Sequence, residues 1–325
     1  MAQPDVQGPD ELADDDIQRI SRALLLLTTT AEKINSATAD TPPPSGSSAR
    51  DLYDGSEVGY AIDGFITMQY ANMSAIDHLR GFTALIRTPT VRSTALATVA
   101  RGALESLART WYLLARVNDD DFIFRAISLL RADLRYSELL NESVRTRDGD
   151  PVDPAAKRTF YADELKRLKL PAPARLNLAQ MVADMLDAEM GNGEGLMRYS
   201  ALSSIAHAHR LGINAFVTTT ATGEIAGLAA PRPVVVDIAG ELVAAIYGTT
   251  RAFVTFYGDQ IRHTELLETA MRRAMVTLSP VMNSVWPDEE KPHDQLTHKP
   301  QVTGTEPNSG QLLFGRSSSH YRSNR

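Results

Sequence analysis

Apolar residues recur at intervals of three and four along most of the chain, the spacing of amphipathic helices. The pattern predicts helices over 12–36, 56–86, 90–116, 120–145, 153–168, 177–190 and 194–211. A long one follows over 235–278, with Gly258 as the point where it would break. Acidic residues open the first helix, where they suit the positive end of its dipole. Pro89 and the Asn118-Asp119-Asp120-Asp121 cap cluster bound the helix at 90–116. Asp148-Gly149-Asp150-Pro151 reads as a turn, and Pro171 and Pro173 close the helix at 153–168.

Period-two character is confined to 215–229. There β-branched Val217-Thr218-Thr219-Thr220 and a Thr222-Gly223-Glu224 turn suggest a short hairpin or extended loop. The fold class is therefore an all-α, multi-helix bundle with at most one hairpin. The expected division is a disordered 1–11, an N-terminal helix at 12–36 and a Pro/Ser-rich linker at 37–55. A bundle domain at 56–285 and a disordered, mildly basic tail at 286–325 complete it. That tail carries Lys291, Lys299, Arg316, Arg322 and Arg325. Gly240, Ala244, Gly248 and Ala252 form a small-residue stripe that would let a second helix approach closely. No repeat of fixed period is present.

Composition narrows the chemistry. The chain has 325 residues, 43% hydrophobic and 22% charged, enough apolar material for a sizeable core. It contains no cysteine, which excludes disulfides, thiolate metal sites, iron–sulfur clusters and a cysteine nucleophile. A net charge of −7 argues against coating nucleic acid by bulk charge. Met1–Asp16 lacks a basic leader region, and the apolar run at 234–257 is interrupted by Asp237, Glu241 and Arg251. The expectation is a cytoplasmic protein with no membrane partner. No cofactor is implied, and a homodimer is compatible with the sequence.

One polar constellation interrupts the apolar pattern. Arg101, Glu105 and Arg109 recur every four residues on an otherwise apolar helix. Tyr199, Ser203 and His207 do the same on the helix at 194–211, with Arg210 beside them. If the stripes face each other, Glu105 accepts from His207, Arg101 or Arg109 balances the carboxylate, and Tyr199 and Ser203 supply hydroxyls. Glu105 and His207 are then the candidate catalytic pair, and Arg101, Arg109, Tyr199, Ser203 and Arg210 the candidate binding residues. On a continuous helix His207 and His209 point apart and cannot chelate one metal, so no metal site is expected. The competing reading is structural, since a satisfied buried network can simply fix helix register.

The segments Arg101-Gly102-Ala103-Leu104-Glu105 with Trp111-Tyr112-Leu113-Leu114, and Tyr199-x-x-x-Ser203-x-x-x-His207, resemble two signatures of an uncharacterised family of bacterial helical proteins. His78-Leu79-Arg80 resembles its preceding helix, and the likeness covers roughly 55–280. Some relatives of that family are similar to HEPN domains, the helical bundles of RNase toxins and anti-phage systems. That resemblance implies metal-independent RNA cleavage by arginine and histidine, with RNA as partner under this reading alone. The HEPN ribonuclease motif is an arginine, four to six intervening residues, and then the histidine. None of the seven histidines here has one, and before His207 those places hold Ser200, Ala201 and Leu202.

Three functions follow as expectations. The first is a helical bundle whose polar stripes are structural and whose activity is undefined. The second is a HEPN-like nuclease or defence toxin. The third is a regulator that binds a small ligand in a bundle cavity.

Overall fold

A computed structural model describes residues 6–7, 11–39, 42–55, 58–115, 118–140, 144–145, 149–173, 175–191, 193–258 and 260–287. From residue 288 on, the expected basic tail, with all five of its cations, lies outside the described residues.

Helices dominate. They are α1 (Asp14–Ala39), α2 (Ser48–Asp54), α3 (Val58–Ile86), α4 (Thr94–Leu114), α5 (Asp119–Leu140) and α6 (Pro154–Arg167). Then come α7 (Leu178–Met190), α8 (Gly195–Ala206), α9 (Arg210–Asn214), α10 (Arg232–Tyr257) and α11 (Gln260–Val285). Local chemistry sets several bounds. Asp153 accepts from the N–H groups of Ala155 and Ala156 and, with Pro154 in the first turn, starts α6. Asn177 caps α7 in the same way, and Gly191 ends it at φ 71°.

The hairpin forms as β4 (Val217–Thr220) and β5 (Ile225–Leu228). Two features are additional to the sequence reading. The strand β1 (Val6–Gln7) pairs antiparallel with β4, and a small pair, β2 (Val144–Arg145) with β3 (Pro151–Val152), follows α5.

The centre of the bundle is α4 and α10, packed against each other. Leu96, Ala97, Ala100, Ala103, Leu104 and Leu107 of α4 are buried, and short alanines let neighbouring helices approach. By length and composition α10 could cross a membrane, but 83% of its apolar window is buried among the other helices. It is the core helix of this bundle. Phe65, Phe122 and Phe256 meet beside it, the last two stacked with ring centroids 5.3 Å apart. The N-terminal helix is not an appendage. It lies along α11, α3 and α10, with Ile20, Leu24, Leu27 and Ile34 fully buried.

The long helix breaks at Gly258 (φ 83°) into α10 and α11, at the expected point. Two elements depart from the sequence reading. The expected linker contains α2, capped by Ser47. The small-residue stripe receives side chains rather than a helix backbone. Gly248 makes room for the Glu189 carboxylate of α7, and Gly240 lies against Met282.

Candidate functional site

The two polar stripes do meet, at the contact between α4 and α8. Arg101 donates from Nε to Glu105 Oε1 at 2.7 Å, one turn along α4. Tyr199, largely buried on α8, donates from its hydroxyl to the same oxygen at 2.7 Å. The Arg101 guanidinium lies 5.5 Å from the Tyr199 ring centroid and its Nη1 reaches His207 Nε2 at 2.5 Å. The expected pairing of Glu105 with His207 is thus replaced. Both bond to Arg101, which stands between them.

A guanidinium can only donate, so in this contact His207 Nε2 is the acceptor. Burial opposes charge on Arg101, yet the hydrogen bond and attraction from Glu105 outweigh it and hold the guanidinium more firmly protonated than usual. Burial and then the Glu105 hydrogen bond push the Tyr199 hydroxyl up, against the pull of Arg101. The side chains of Arg101 and Glu105 are each 22% exposed, and His207 is exposed, so solvent reaches the cluster.

His207 holds its place by ending a helix. The expected helix at 194–211 is two, because α8 stops at Ala206 and His207 is its C-cap. Ala208 takes the left-handed conformation at φ 57°. The N–H of His209 then bonds back to Ser204 O at 2.9 Å, and that of Ala208 to Ile205 O at 3.1 Å. This is a Schellman closure with alanine where glycine is usual. It corrects the reading of opposed histidines. The rings of His207 and His209 lie 6.1 Å apart, tilted by 33°.

The remaining candidates separate. Arg109 turns away and clamps Asp133 of α5 through two hydrogen bonds of 2.7 Å. Ser203 is half-buried below His207, whose N–H bonds to the Ser203 carbonyl at 3.0 Å. Arg210 is exposed at the start of α9. Gly102 is explained by His78, whose Nε2 would lie 2.9 Å from any Cβ placed there.

Sequence reasoning missed a second charged cluster beside the first. Arg198, next to Tyr199, is buried and bonds to Glu241 Oε1 of α10 at 3.1 Å and to Glu194 Oε2 at 2.9 Å. Glu241 is also buried, and its Oε2 accepts no hydrogen bond. Burial pushes this carboxyl up to about 7, against the pull of Arg198. An acid in the middle of an apolar helix, with an i,i+4 Glu194–Arg198 pair nearby, was the available signal.

No protein-family model matches the chain, and no protein of curated function and no solved structure matches it either.

Proposed function

We propose that the α4–α8 cluster is a metal-independent acid–base site for an anionic substrate. Arg101 receives the anion, His207 moves the proton, and Glu105 with Tyr199 positions the guanidinium. The observation that carries this reading is the direct contact of Arg101 with His207 at a solvent-reachable helix end. Arg101 gives one N–H to Glu105 and one to His207, and a guanidinium carries five donors in a planar fork suited to an anion. An anion that draws the Arg101 guanidinium off His207 frees the Nε2 lone pair, and the imidazole is then a competent base.

A phosphodiester of RNA is the second reading, favoured by the same pairing of arginine with histidine. In that reaction His207 takes the proton of a ribose 2′-hydroxyl. The oxygen attacks phosphorus, the bond to the 5′-oxygen breaks, and the proton held by His207 passes through water to that oxygen, leaving a 2′,3′-cyclic phosphate and a 5′-hydroxyl. The arginine comes from another helix, so it reaches the histidine by a route different from the HEPN motif.

The test is a titration with uridine 3′-monophosphate, followed by NMR of the imidazole resonances. The nucleotide should shift the His207 signals, and Arg101→Gln should weaken that binding at least tenfold in a folded protein. Unmoved His207 resonances at millimolar ligand would sink the proposal. Incubation of the purified protein with RNA and a chelator addresses the second reading. His207→Ala should then remove any cleavage, and intact RNA would dismiss the nuclease while leaving the anion site standing.

A further inference from the structure

A groove of about 470 Å³ runs between α1 and α11, away from the α4–α8 cluster. That volume lies within the range of roughly 300–1,000 Å³ typical of small-ligand sites. Its floor is apolar, built from Leu25, Leu26, Leu266 and Ala270. Its walls carry Arg22 and Lys33 of α1, Arg87 just beyond α3 and Arg273 of α11. Thr29, Thr30 and Thr269 add hydroxyls, and no carboxylate lines it.

Four cations along one groove stand out in a chain of net charge −7. Neighbouring charges of α1 are paired: Arg19 holds Asp15, and Glu32, beside Lys33, is engaged by Arg80. None of the four groove cations joins an ion pair among the described residues. Like charges set along one groove without counter-charge repel one another and gain the folded state no contact. Cations that do nothing for folding yet line an apolar floor have the layout of a ligand site.

We propose that this groove binds an anionic amphiphile, an acyl or alkyl chain bearing a carboxylate or phosphate. The chain lies on the leucine floor and the head is held by cations of the groove wall, Arg87 and Arg273 among them. The proposal is independent of the acid–base reading, because none of its residues belongs to that cluster.

Isothermal titration with monomeric dodecyl phosphate, below its micelle concentration, tests it. The expected result is saturable one-to-one binding that weakens as salt rises. Dodecanol and inorganic phosphate, each half of the ligand, should bind at least tenfold more weakly. Arg87→Gln with Arg273→Gln should lower affinity at least tenfold while leaving the melting temperature of the ligand-free protein unchanged or higher. A drop in that melting temperature would mark the cations as structural and overturn the proposal. So would equal binding of dodecanol, or affinity untouched by the double variant. Sedimentation with vesicles of anionic lipid separates the sources. Pelleting without binding of the free amphiphile would make the groove a membrane-docking surface and overturn the soluble-ligand reading.

Discussion

Ala208 occupies a left-handed position that glycine would fill without strain. For a residue with a Cβ that conformation costs about 1–2 kcal/mol. Ala208→Gly relieves this but loosens the unfolded chain, so a net gain of about 0.5–1 kcal/mol is expected. Urea unfolding measures it, and a fall in midpoint would mean that something other than the Schellman closure sets His207. Glu241 gives a second expectation. Its folded carboxyl holds a proton up to about 7, above the ordinary 4.5, so the folded state binds more protons between these limits. That stability is present below about 4.5 and is lost as pH rises through 7. Burial moves Glu189, Asp237 and Asp63 the same way. Glu241→Gln should therefore gain on the wild type as pH rises from 5 to 8, in unfolding midpoints compared at each pH. A difference that stays constant with pH would contradict it. At this scale the sequence located much of the cluster. Four-residue spacing put Arg101 beside Glu105 and Tyr199 on the facing helix. It misplaced Arg109, since eight residues turn a helix by about 80° and carry that side chain to Asp133. It also misjudged His207, because no glycine or proline announces the end of α8.

Among the elements, Gly258 is closed to a side chain on two counts. Its φ is 83°, and a Cβ there would collide with Ser47, the cap of α2. Gly258→Ala therefore combines left-handed strain with overpacking and should cost about 2–4 kcal/mol, read from chemical denaturation. A loss under 1 kcal/mol would show that the α2 cap at Ser47 gives way freely. Helices with chemical punctuation were legible at their true bounds, as Asn177 and Gly191 show for α7. Those without it were not. The prolines at 42–44 hid α2, and the glycine stripe of α10 gave no sign of its occupant. The space at Gly248 serves Glu189, which Arg251 meets with hydrogen bonds of 3.1 and 3.3 Å. A small residue reveals that something comes close, and leaves open whether it is a backbone or a charge.

At the scale of the whole molecule, composition described the average and concealed the distribution. A net −7 is compatible with four cations in one groove and with a buried Arg198 among acids. The first and last helices of the described chain lie side by side, and that seam carries a consequence in time. A ribosome adds about 5–20 residues per second, so α1 emerges roughly 10–45 s before α11. Throughout that interval α1, whose Ile20, Leu24 and Leu27 end fully buried, lacks the α11 surface it finally packs on, and the nascent chain offers a sticky helix to any holdase. Long-range closure of this kind is slow because the loop entropy is spent before the contact is made. The groove between α1 and α11 is thus among the last features to take shape.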